Sequence, residues 1–166
     1  MFSKFNLKEY KQIPNRNNHN CFACSAKNET GLQMEFFTDE ESVFSKIIIP
    51  IHLCGWENLA HGGITSTILD EIMGWAAIHL HKSIILTKSI AVDFLKPIKV
   101  GDFLFAIGST LEKKRDREVI MKGEIYNEEN VLCAKSSGNF ALFTPDEIRK
   151  KEILDEQSID DIVALM

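Results

Sequence analysis

Apolar and polar positions in this chain alternate in short runs, interrupted once by a long segment of helical period. Gln33–Thr38 reads as a strand, Asp39-Glu40-Glu41 as a turn, and the isoleucine-rich Val43–Ile49 as a second strand ended by Pro50. A loop over His52–Ala60 leads to a glycine pair. From about Gly63 to about Leu80 the period changes. Ile64, Ile68, Ile72, Trp75 and His79 fall on one stripe, as in a helix buried along one side. Four more strands are expected with no helix between them: Ile84–Leu95, Phe103–Leu111, Val119–Tyr126 and Val131–Phe143. In the third, Val119, Met121, Gly123 and Ile125 alternate with Ile120, Lys122, Glu124 and Tyr126, which fits a half-buried strand. Thr144-Pro145-Asp146-Glu147 joins an N-cap threonine, a first-turn proline and a glutamate at the third helical position. It predicts a helix from 145 to about 164, broken near Gln157-Ser158.

Two strands, one helix and a meander of four define an α+β plan with an antiparallel sheet. One helix does not cover both faces of a six-stranded sheet, so the sheet is expected to curl around it. The expected divisions are an N-terminal lead (1–19), a sheet-and-helix domain (20–143) and an acidic C-terminal helix (144–166).

With 166 residues, 45% hydrophobic and 26% charged, the chain has ordinary globular composition and enough length for a proper core. It has no apolar run of bilayer-spanning length, and its N-terminal stretch lacks the apolar segment of a signal peptide. A cytoplasmic protein, neither spanning nor bound to a membrane, is the expectation. Residues 144–166 carry seven acidic and three basic side chains, −4 of the net −5, which leaves −1 for the rest. That balance gives no electrostatic case for nucleic-acid binding. Lys113, Lys114, Arg115 and Arg117 read as a solvated hairpin tip rather than a phosphate clamp. Cys21, Cys24, Cys54 and Cys133 read as packed or reducible thiols. A zinc site built from Cys21-x-x-Cys24 with His19, His52 and Cys54 lacks a second ligand pair of usual spacing, so no metal is expected.

The chemistry concentrates between His61 and Glu71. Two glycines at a helix start leave backbone N–H groups free to meet developing negative charge. Gly63, Thr67, Asp70, Gly74 and Ala77 share one small, polar face, away from the isoleucine stripe. Asp70 sits there among Ile68, Leu69, Ile72 and Met73, where a carboxylate is costly unless it has a partner or a task. Glu71, one position round, reads as solvated or structural. Gly62 and Asp70 lie eight residues apart, about 12 Å along a helix, too far to act on one carbonyl. If both are catalytic they come from different chains, so a dimer with composite sites is expected.

Other candidates are weaker. His61 is open to proton transfer or to orienting the turn through a hydrogen bond. The Thr87 hydroxyl is open to holding a water or to a plain strand role. Asn58 is a candidate carbonyl or water ligand, or a turn former. Met73, with Trp75 and Met121, is a candidate for an acyl pocket and equally for the core. Lys88 is a further candidate for substrate binding, and His79 and His81 read as charges at the helix end.

These residues resemble the hotdog-fold acyl-CoA thioesterases of the phenylacetyl-CoA-thioesterase type. The likeness is carried by Gly55-Trp56, Ala60-His61-Gly62-Gly63 and Asp70-Glu71, then Thr87–Pro97 and Gly101-Asp102, with the lead-in Cys21-Phe22-Ala23-Cys24, Asn28 and Gly31-Leu32. It covers about residues 20–143. The resemblance implies a helix wrapped by an antiparallel sheet, with sheets pairing edge to edge in a homodimer or a dimer of dimers. It implies hydrolysis of acyl-CoA without a cofactor. Asp70 takes the role of general base or nucleophile, Gly62 or Gly63 polarises the thioester carbonyl, and Thr87 helps to place water. Some relatives carry asparagine six residues before the histidine. Here that position is Gly55, and Asn58 is the nearby substitute. A non-catalytic acyl-CoA binder or sensor on the same fold is the alternative.

Overall fold

The computed structural model describes residues 7–16 and 18–166, so part of the N-terminal lead (1–6 and 17) lies outside the described residues. The strands are β1 (Lys11–Ile13), β2 (Phe36–Thr38), β3 (Ser42–Ile48), β4 (Cys54–Trp56), β5 (Leu59–Ala60), β6 (Ile84–Phe94), β7 (Phe103–Arg115), β8 (Glu118–Asn127) and β9 (Leu132–Phe143). The helices are α1 (Gly62–His81), α2 (Pro145–Lys151) and α3 (Glu156–Val163). Seven strands form one antiparallel sheet in the order β1-β2-β3-β7-β8-β9-β6, while β4 and β5 make a separate hairpin. The sheet wraps α1, which is the hotdog arrangement expected from the sequence.

The helix settles onto the sheet because the sheet is thinned beneath it. Gly108 of β7 and Gly123 of β8 are direct cross-strand partners. A Cβ at position 108 would collide with the Ile72 carbonyl oxygen, and one at 123 would press on Met73 and Leu69. Side chains at these two positions would hold the helix backbone off the strands. Ile68, Leu69, Ile72 and Met73 are fully buried in the resulting core, opposite Val119, Met121 and Ile125. Large apolar groups of this kind contribute about 1.5–3 kcal/mol each when fully buried. The buried residues of β8 are those the alternation selects.

Four details differ from expectation. The sheet has seven strands rather than six, because Lys11–Ile13 adds an edge strand. Only Ile13 of that strand is buried, so it leaves no periodic trace. Strand β2 starts at Phe36 rather than Gln33, where a left-handed backbone (φ 49°) turns the chain away from the sheet. The loop over 52–60 contains the β4–β5 hairpin. The C-terminal helix is two helices whose break precedes Gln157-Ser158. Glu152 ends α2 in a left-handed conformation, and Asp155 caps α3 by accepting from the Ser158 N–H. Ile148 and Ile159 pack on Ile84 of β6, and Arg117 pairs with Glu147 at 2.7 Å, fastening these helices to the sheet. Among the described residues, no helix is long and apolar enough to cross a membrane.

Candidate functional site

Helix α1 and strand β6 build the site together. Asp70 faces away from the core, and the Thr87 hydroxyl donates to Asp70 Oδ1 at 3.0 Å. Thr87 pairs with Phe140 of β9, but the next paired residue is Ser89, so Lys88 forms a β-bulge. Bulges re-aim side chains and are common beside active sites. From the bulge to Ala91 the strand is exposed, and β6 is an outer strand of the sheet. Burial pushes the Asp70 carboxyl above its ordinary value, and the Thr87 hydrogen bond holds it partly back.

The helix start has a different arrangement. His61 is the N-cap residue, and its Nδ1 accepts from the Gly63 N–H at 2.9 Å. Its ring therefore orients the turn. That hydrogen bond uses the Gly63 amide, while among the described residues nothing accepts from the Gly62 N–H. Gly62 lines an open groove of about 340 Å³, whose walls include Trp56, Leu59, Phe94, Leu95 and Pro97. Trp56, 81% exposed, and Phe94, 58% exposed, leave much of that apolar surface uncovered. The Phe94 ring passes close enough to Gly62 that a Cβ there would lie 3.6 Å from Cζ.

The remaining candidates fall elsewhere. Asn58 sits exposed in the β4–β5 turn, where its carbonyl accepts from the Val100 N–H at 3.0 Å. Gly55 packs on the histidine: a Cβ there would meet His61 Cα at 3.1 Å, so an asparagine would displace His61. Met73 is wholly buried beneath Gly123 and Gly138 and belongs to the core rather than to an open pocket. Lys88 pairs with Glu118 at 3.4 Å. His79 is buried and meets Glu40 at 3.1 Å, and His81 meets the Thr110 hydroxyl at 3.0 Å, so both helix-end histidines have specific partners.

Of the two readings of Glu71, solvated or structural, the structural one fits: the side chain is only partly exposed and has partners. Its Oε1 accepts from Trp75 Nε1 at 3.0 Å and lies 4.0 Å from Cys21 Sγ. Burial, with repulsion from Cys21 second, pushes its carboxyl up to about 7. Hydrogen bonds from Cys24 and from the Cys24 and Ala23 amides favour the Cys21 thiolate, whereas Cys24 itself is driven up. The imagined zinc partner His52 is instead bound to the Thr30 carbonyl at 2.9 Å. Sequence spacing did not join Glu71 to the cysteine pair, since fifty residues separate Cys21 from it. The one local signal was a second acidic residue in an apolar helix.

Known proteins agree with this architecture. Residues 57–134 match the family model described as the thioesterase superfamily. An uncharacterized protein of Schizosaccharomyces pombe is 30% identical over 93 residues, 53% of each chain. The chain thus spans about half the length of the curated relative it matches. The crystal structure of protein RHA08564, a thioesterase superfamily protein, is similar with a TM-score of 0.66 and 19% identity, over 72% of this chain and 59% of that one. The structure of smu.793 from Streptococcus mutans UA159, bound to acetyl CoA, is similar with a TM-score of 0.62 and 21% identity, over 75% and 96% of the two chains. The fold is that of the hotdog proteins. The likeness to the thioesterase-superfamily model is confined to residues 57–134, just under half of the chain.

Proposed function

We propose that this protein hydrolyses acyl-CoA thioesters to the free acid and CoA. The observation that carries the reading is the half-buried Asp70 carboxylate, held by the Thr87 hydroxyl on a helix face that is open at Gly63 and Thr67 but buried at Gly74 and Ala77. Asp70 acts as general base on a water or as nucleophile on the carbonyl carbon. The Gly62 N–H, at the positive end of a 20-residue helix, stabilises the oxyanion as the tetrahedral centre forms. Gly62 is preferred to Gly63 because the Gly63 amide is already bound by His61.

Both groups meet one substrate only across two protomers. The eight residues between them span about 12 Å of helix. Strand β6 offers an edge for antiparallel pairing with a second copy: eleven residues long and at the end of the sheet, it exposes Ile90 and Phe94 among Thr87, Lys88, Ser89 and Asp93, and an unpaired edge of this length invites partnership. The groove beside Gly62 suits the apolar part of an acylated pantetheine arm. The acetyl CoA in the Streptococcus mutans structure supports the choice of thioester. Turnover of a panel of acyl-CoAs, followed by thiol release, tests the reading. Asp70→Asn should keep the fold and lower kcat by at least about a hundredfold. Wild-type turnover by that variant contradicts the proposal, and tight acyl-CoA binding without thiol release by the native protein favours a binding role.

A further inference from the structure

Beside the site just described, and independent of its chemistry, Cys21, Cys24 and Glu71 form a second cluster. Each offers one donor atom, and the three lie within 4.8 Å of one another. The loop that carries the cysteines is firmly built. The Leu32 N–H donates to the Phe22 carbonyl at 2.8 Å, the Met34 N–H to the Ala23 carbonyl at 3.0 Å, and the Asn15 side chain to the Cys24 carbonyl at 2.6 Å. Position 31 must be glycine, because a Cβ there would collide with the Phe22 carbonyl oxygen. Two thiols are therefore presented at a fixed place against helix α1.

The carboxylate they meet lacks a counter-charge. Glu71 accepts from the Trp75 indole, and among the described residues no lysine, arginine or histidine forms an ion pair with it. A partly buried carboxyl without a cation is met by a proton or by a metal ion. Two thiols and a carboxylate are donors that a divalent ion such as zinc accepts. Tetrahedral zinc, with sulfur at about 2.3 Å and oxygen at about 2.1 Å, needs a sulfur–oxygen separation of about 3.6 Å. Cys21 Sγ and Glu71 Oε1 stand 4.0 Å apart and all three donors lie within 4.8 Å of one another, so contractions of at most about 1 Å close the set.

We propose that Cys21, Cys24 and Glu71 bind one zinc-class divalent cation, with water as the fourth ligand. The ion offsets the charge of the partly buried carboxylate and pins the loop over 21–34 to α1. Because Glu71 precedes Ile72 on the buried stripe and follows Asp70, the tether steadies the helix turn that carries the active-site carboxylate.

The test uses tag-free, reduced protein stripped with a chelator and titrated with Zn²⁺ and, separately, Co²⁺. One ion per chain is expected, with a thiolate-to-cobalt charge-transfer band in the near ultraviolet. Cys21→Ser with Cys24→Ser should abolish that band, and Glu71→Gln should weaken binding by at least about tenfold. A measurement on the native chain covers the case of variants that do not fold: Zn²⁺ should protect the partly exposed Cys21, but not the comparably accessible Cys54, from alkylation. Binding of less than one ion per chain, a cobalt spectrum without thiolate charge transfer, or equal alkylation with and without zinc each overturns the proposal. So does a native chain whose reduced thiols close into a disulfide and take up no ion. None of these readouts depends on thioester turnover.

Discussion

The hydroxyl of Thr87 donates to Asp70 Oδ1 at 3.0 Å, joining an edge strand to the central helix at the residue where a β-bulge begins. This contact gives the half-buried carboxylate a fixed rotamer and one satisfied oxygen. In the proposed reaction its second oxygen meets a water or a carbonyl carbon.

Replacing Thr87 by valine keeps the shape of the side chain and removes the donor. The carboxylate then loses the group that aims it. We expect kcat to fall by about tenfold, which corresponds to about 1.4 kcal/mol, with little change in KM or thermal midpoint. An unchanged kcat would reduce Thr87 to a strand residue.

Gly62→Pro removes one N–H and little else. Proline is favoured at the first position of a helix, and His61 already has the extended backbone (φ −63°, ψ 135°) that a following proline requires. The variant should fold as the native chain does. Its kcat should drop by about 10²–10³, the usual cost of losing one oxyanion donor. Native circular dichroism together with native turnover would remove Gly62 from the chemistry.

The C-terminal helices should respond to acid in a defined direction. Hydrogen bonds from the Ser158 backbone and hydroxyl hold Asp155 below its ordinary value, and the Thr144 amide does the same for Glu147. Folded carboxyls lowered in this way support the helices at neutral pH. The support begins to fade as the pH drops through the ordinary carboxylate range and is gone below the folded values. The protection factors of the Ser158 and Thr144 amides, which donate to these two carboxylates, should therefore fall on acidification. Asp155→Asn, which keeps the cap acceptor, should flatten the response at Ser158.

How much of this was legible in the sequence depends on how local each signal is. Helix α1 and strand β8 were readable because their large apolar residues recur at one period, as Ile68, Ile72 and Trp75 or Val119, Met121 and Ile125 show, but burial of α1 extends all round from Ile72 to Ala77 and closes over Gly74 and Ala77, on the face expected to be open. Asp70 stood out because a carboxylate among isoleucines conflicts with that period. Strand β1 was hidden because one buried residue, Ile13, makes no pattern. Met73 was misleading for a physical reason: the glycines that bury it lie on β8 and β9, so its surroundings are set by tertiary packing. Glu71 and the cysteine pair meet only through the path of the loop over 21–34, which no spacing rule describes.

The composite site is the central claim, and mixing two inactive chains tests it most directly. Asp70→Asn protomers retain the Gly62 amide, and Gly62→Pro protomers retain the Asp70 carboxylate. A heterodimer of the two holds one intact site if the groups come from opposite chains. Co-refolded in equal amounts, the variants should recover about a quarter of native turnover, since half the dimers are mixed and each mixed dimer has one working site of two. Turnover no higher than that of either variant alone would contradict the claim.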